Sequence, residues 1–170
     1  MQRDHSSHIR PQESAREYLK FGLVISTIIV ASTALTLWSG WGLSQFMSYF
    51  MGLFFITFAV FKLVNLQTFA ITYKGYDIIT KKFPVWGYIF PFVELGLGFA
   101  YLLIPETVGL HVVTVLVTGV ASIGVIKELR SRSDIMCACL GTVIKLPMTW
   151  ITLGEDLLMA VMALGMILSH

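Results

Sequence analysis

The chain has 170 residues, of which 56% are hydrophobic and 13% charged, with a net charge of +2. Soluble domains carry about a quarter charged residues, so this composition excludes a water-covered globular surface and leaves lipid as the main solvent. The mild charge, with no basic cluster interleaved with aromatic residues, excludes nucleic acid as a partner, and two cysteines are too few for a disulfide scaffold.

Residues 1–18 read as a polar cytosolic tail of mixed charge. A membrane-crossing helix needs about 20 mostly apolar residues, and the first such run is Leu19–Trp38, rich in Ile, Val and Thr. It is too long for a signal-peptide core and no A-x-A-like cleavage site follows it. Residues 19–42 are therefore expected to stay as an N-terminal transmembrane helix with its turn, Ser39-Gly40-Trp41-Gly42. The second span runs from Leu43 to about Leu66, the third from Trp86 to Ile104, the fourth from Gly109 to Ile126, and the last from Met148 to Leu168. Because backbone groups in lipid must satisfy one another, such runs are helices even where Val and Thr are frequent. The fold class expected is all-α, a polytopic membrane helix bundle of about five transmembrane helices.

Two segments differ from simple spans. Thr68–Lys82 places Phe69, Tyr73 and Tyr76 at helical spacing beside lysines, as suits a helix at the membrane interface or a cytosolic extension of the second span. Lys127–Leu146 is the longest charged loop and holds both cysteines.

Lysine and arginine set orientation, because cytoplasmic loops are enriched in them. With five spans, one side receives Arg3, Arg10, Arg16, Lys20, Lys74, Lys81, Lys82, Lys127, Arg130, Arg132 and Lys145, and the other receives none. The expected location is a bacterial inner membrane, crossed several times. The N-terminus and cysteine loop are cytoplasmic in this arrangement, and the C-terminus is outside.

Chemistry is concentrated at few positions. Cys137 and Cys139 stand one residue apart, close enough only for a strained, easily reduced disulfide, which suits exchange better than structure. Neighbouring Lys127, Arg130, Arg132 and Lys145 favour the thiolate form that exchange requires. The same two thiolates also suit a soft ion such as Cu(I), with the Met148 thioether as a further ligand in that alternative. Ionisable residues inside spans are costly and mark partners or cavities. Lys62 sits near the end of the second span, Glu94 about 12 Å into the third, and Glu155 and Asp156 at similar depth in the last. Glu155 and Asp156 project about 100° apart on a helix, so they are not expected to face inward together. Lys62 has the alternative of extending to the interface. Glu155, Met159, Met162 and Met166 form one stripe on the last helix, a pattern more typical of core filling than of metal binding. Gly96, Gly98, Gly119 and Gly124 permit close helix approach, and His5 and His8 lie in the N-terminal tail.

Several of these positions recur together in a known group. Phe61-Lys62-Leu63, Phe69-Ala70-x-x-Tyr73-x-x-Tyr76-Asp77, Pro91-Phe92-x-Glu94-Leu95-x-Leu97-Gly98 and Cys137-Ala138-Cys139-Leu140-Gly141 resemble the MauE/DoxX group of membrane proteins. The resemblance covers residues 45 to 168, and the domain it implies is a four-helix core over residues 43–170, with the first span lying outside it. The stretch from Cys137 to Met148 also resembles a branch that occurs joined to heavy-metal-associated domains. The resemblance implies a redox-associated accessory protein, supporting disulfide formation or maturation of a partner such as the methylamine dehydrogenase small subunit. Cys137 and Cys139 then inherit the redox role, and Lys62 and Glu94 the intramembrane polar positions. The alternative it leaves open is copper-like metal binding or transport. The partners expected are the lipid bilayer and a thiol-redox or metal-carrying protein; neither reading names a cofactor.

Overall fold

The computed structural model describes residues 11–40, 42–105, 107–131 and 150–168. Among these residues the chain is helical and contains no strand: α1 (Pro11–Ser39), α2 (Leu43–Val64), α3 (Leu66–Tyr76), α4 (Ile78–Lys82), α5 (Trp86–Leu103), α6 (Val108–Ser131) and α7 (Trp150–Leu168). Four of the described helices are long and apolar enough to cross a membrane, over Tyr18–Ser39, Leu43–Val64, Trp86–Leu103 and Val108–Lys127. α7, with 19 residues, runs about 28 Å and packs along α6 as a further helix of the bundle. The protein is a multi-pass helical membrane bundle.

Its outer surface is apolar. Leu23, Val30, Leu37, Val60, Phe92, Phe99, Leu116, Leu157 and Val161 are all exposed, as side chains facing hydrocarbon are. Hydroxyl residues in the spans are satisfied without leaving their own helix. Ser32, Thr36, Ser48, Thr114, Thr118 and Ser122 each donate to the carbonyl four residues earlier, at 2.7–3.0 Å, the usual solution for Ser and Thr in a helix without water.

The core is built from two closely packed pairs, α2 with α5 and α6 with α7. α1 packs on α2 alone among the described helices; of its described apolar side chains Ile28 is buried in the core, with Phe21, Val24 and Ile25 packed against it. α2 and α5 run antiparallel and approach most closely at two glycines. A Cβ on Gly98 would lie 2.6 Å from Ile56 Cγ1 and 2.9 Å from the Gly52 carbonyl oxygen; one on Gly52 would lie 2.8 Å from Leu102. Gly96 and Gly119, expected to serve the same purpose, have nothing within 4 Å. They lie on faces turned away from neighbouring helices, where a small residue brings no backbone closer. Phe50, Met51, Phe54, Phe55, Phe58, Leu97, Tyr101, Met159, Ala163 and Met166 fill the centre; Phe54 and Phe58 stack with ring centroids 4.1 Å apart.

The second span ends at Val64, slightly before the boundary expected from hydropathy. Asn65 breaks it and starts the next helix, its side-chain oxygen accepting from Thr68 N–H at 3.2 Å. Asp77 does the same for α4: one carboxylate oxygen accepts from the backbone N–H of Thr80 at 2.6 Å and from its hydroxyl at 2.7 Å. Such caps satisfy donors that a helix start leaves unpaired. Phe69 and Tyr73 of α3 turn into the protein and not toward an interface. Phe69 and Tyr73 are buried, with ring centroids 6.4 and 4.9 Å from Phe90 of α5. α3 and α4 thereby close one end of the bundle.

Candidate functional site

An apolar helix that must carry a lysine in lipid has two options, extension to the interface or a buried partner. Lys62 takes the second. It is 5% exposed, and its ammonium donates to both carboxylate oxygens of Glu94, itself 7% exposed. The antiparallel pairing of α2 and α5 sets this meeting, because Lys62 near the end of α2 falls level with the third turn of α5. Pro91 precedes Glu94 by one turn and is buried inside the helix. The Lys62 ammonium also lies over the rings of Phe69 and Phe90, 5.6 and 5.0 Å from their centroids, a cation–π arrangement that partly replaces lost hydration.

Glu155 and Asp156 reach the same place. Lys62, Glu94, Glu155 and Asp156 line one cavity of about 30 Å³, together with Phe54, Phe55, Phe58, Phe90, Val117, Thr118, Ala121 and Met159. That volume holds about one or two water molecules. The expectation that the two α7 carboxyls would not both face inward is corrected here. The cavity lies where α2, α5, α6 and α7 meet, so it subtends a wide arc of α7 and admits two side chains about 100° apart. Lys62 is within electrostatic reach of both. One ammonium thus faces three carboxyl groups inside an apolar bundle.

A second polar group was not singled out by sequence. Tyr101, His111 and Thr114 are all fully buried. The Tyr101 hydroxyl lies 3.2 Å from His111 Nδ1 and 3.0 Å from Thr114 Oγ1. A signal did exist: His111, Thr114, Thr118 and Ser122 follow one another by three, four and four residues, which places them on one face of α6.

Cys137, Cys139 and Met148 lie outside the described residues. In sequence the segment that carries them lies between the end of α6, Ser131, and the start of α7, Trp150. His5 and His8 also lie outside the described residues. Met159 and Met166 are buried in the core, and Met162 is packed against it, which accounts for the methionine stripe by packing. Among the described residues no three His, Cys, Asp or Glu side chains are grouped so as to hold a metal ion.

Residues 40–169 match the model of a protein family described as methylamine utilisation protein MauE. No curated protein and no solved structure matches the chain.

Proposed function

Because the chain belongs to the MauE family, we propose that it is an integral-membrane thiol-redox accessory protein of methylamine utilisation, acting in the maturation of a disulfide-containing partner. Cys137 and Cys139 are the exchanging pair. In the forward step their disulfide is attacked by a partner thiolate, a mixed disulfide forms, and the partner's second thiolate displaces it. The partner gains a disulfide, and Cys137 and Cys139 gain two electrons and two protons. Exchange of this kind needs thiolates as nucleophiles and as leaving groups, so protons must be accepted and released close by.

The observation that supports this reading is the cavity shared by Lys62, Glu94, Glu155 and Asp156, the last two lying five and six residues past the start of α7 at Trp150, the helix that follows the cysteine segment in sequence. A membrane bundle with no chemistry to support has little reason to bury one ammonium and three carboxyl groups together, since each is costly in lipid. In this reading the Lys62–Glu94 pair orders the site, and Glu155 and Asp156 exchange protons with it. The protein sits in a bacterial inner membrane with its N-terminus and cysteine segment in the cytoplasm and its C-terminus outside.

The test is the redox state of Cys137 and Cys139 in cells that need this chain for growth on methylamine. Acid quenching followed by mass-tagging of free thiols should reveal an oxidised fraction, and replacing both cysteines with serine should abolish that growth at an unchanged protein level. A pair that stays fully reduced under oxidant, with normal growth of the double serine variant, overturns the proposal.

A further inference from the structure

The stretch formed by α3, α4 and the turn into α5 has two faces of different chemistry. On the inner one, Phe69, Ala70, Tyr73, Asp77 and Thr80 are buried. Gly87 of α5 packs so close beneath them that a Cβ there would lie 3.1 Å from Thr80 Cγ2 and 3.3 Å from Ala70 Cβ. The outer face mixes apolar and basic side chains. Ile71 is followed three residues later by Lys74, and Ile78 by Lys81 and Lys82, three and four residues on. Those spacings place each isoleucine and its lysines on the same side of their helix. All five are exposed, as are Phe83 and Val85 in the turn. Asp77 is the only acidic residue of the stretch; it is buried and accepts from Thr80, so the outer face is purely cationic.

Its place in the bundle decides what this face meets. The apolar span of α5 begins at Trp86 and has 18 residues, about 27 Å of helix, which nearly fills a hydrocarbon layer of about 30 Å. Lys81 and Lys82 stand five and four residues before that span, at the level of lipid headgroups. Phe83 and Val85, 68% and 65% exposed, lead without a break into exposed Tyr88, Ile89 and Phe92 on α5, part of the surface that faces hydrocarbon. A basic patch continuous with an apolar one fits both parts of a phospholipid, the phosphate and the upper acyl chain. An acidic soluble protein would match the lysines and leave Ile71, Phe83 and Val85 without a partner.

We propose that α3 and α4 form a binding site for anionic phospholipid, with Lys74, Lys81 and Lys82 on its phosphate and Ile71, Ile78, Phe83 and Val85 against its acyl chains, and that the bound lipid fastens these two helices over the Lys62–Glu94 pair. The fastening follows from the inner face. Phe69 lies 5.6 Å from the Lys62 ammonium and stacks on Tyr73 at 5.1 Å, which stacks on Phe90 at 4.9 Å. A headgroup that pins the outer face keeps these rings over the buried charge. The site is independent of the cysteine reading, since no thiol takes part.

The experiment uses the full purified chain in mild detergent, titrated with phosphatidylglycerol or with phosphatidylcholine of the same acyl chains, and counts bound lipid by native mass spectrometry. Wild-type protein should bind phosphatidylglycerol at least about tenfold more tightly. Lys74→Gln, Lys81→Gln and Lys82→Gln together should bring the two affinities close to equal, while arginine at the same three positions should keep the preference. Each single glutamine variant should lower it by up to about fivefold; these decide if the triple variant fails to fold. Lys127→Gln with Arg130→Gln, which removes two exposed cations near the end of α6, should leave most of the preference intact. Equal affinities in the wild type, an unchanged preference in the triple variant, or an equal loss in the α6 variant overturns the site. Amide hydrogen exchange in α3 and α4 should slow when phosphatidylglycerol is added to wild type and not when it is added to the triple variant; binding without slowing overturns the fastening.

Discussion

Replacing Lys62 with methionine is the sharpest perturbation of the site, because it removes the one cation that faces three carboxyl groups. Breaking a buried ion pair by deleting one partner costs about 3–5 kcal/mol, whereas replacing both partners with apolar residues of similar size is often neutral or stabilising. Lys62→Met strands Glu94, and it also removes the attraction that reaches Glu155 and Asp156; the cation–π contacts with Phe69 and Phe90 go with it. Glu94→Leu should cost less, because Lys62 still faces two carboxyl groups across the cavity. The double variant should then be more stable than Lys62→Met alone, with a coupling of at least about 2 kcal/mol between the two sites, inside the range found for residues in direct contact. In a chain of this size a loss of about 3–5 kcal/mol lowers Tm by roughly 6–20 °C. Thermal unfolding of the four proteins in one detergent completes the cycle. Effects that add to within about 0.5 kcal/mol, as for distant sites, would refute the claim that this pair is a buried, mutually dependent unit.

Gly98→Ala should destabilise by about 1–3 kcal/mol, the usual cost of overpacking, because its methyl group meets Ile56 and the Gly52 carbonyl. Gly96→Ala, with open space around it, should be neutral or stabilise by up to about 1 kcal/mol through helix propensity; the reverse ranking in thermal unfolding would mean that α2 and α5 do not pack through Gly52 and Gly98. For orientation, a reporter enzyme active only outside the cytoplasm should be active when fused after Leu168 and inactive when fused after Lys82. The opposite pattern would invert the assignment made from lysine and arginine.

Much of the fold was legible because lipid imposes one rule on each span separately. A run of about 20 apolar residues must be a helix, and Leu19–Trp38, Leu43–Leu66, Trp86–Ile104 and Gly109–Ile126 each coincide to within two residues with a helical stretch long and apolar enough to cross a membrane, although the first of these helices starts earlier, at Pro11. The boundary near Val64 was less legible, since Asn65 ends one helix and caps the next by a side-chain hydrogen bond that hydropathy does not register. The glycines were misjudged for a similar reason. Gly96 and Gly98 are indistinguishable in sequence, and only the face turned toward α2 gives Gly98 its purpose.

Sequence alone therefore determined that the chain lives in lipid, that it is helical, and that Lys62, Glu94, Glu155 and Asp156 fall within its apolar runs, where an ionisable side chain is costly. It could not say which of them meet. That depends on the antiparallel register of α2 and α5, which brings Lys62 to Glu94, and on the way α7 sits beside α6, which turns both of its carboxyl groups to one cavity. Tyr101 and His111 are ten residues apart across a turn, and they become one hydrogen-bonded unit only when α5 and α6 fold back on each other. The physical reason is common to all three cases. Hydrophobicity acts on each helix by itself, whereas ion pairs and hydrogen bonds act over about 3 Å and are decided only when separate helices pack.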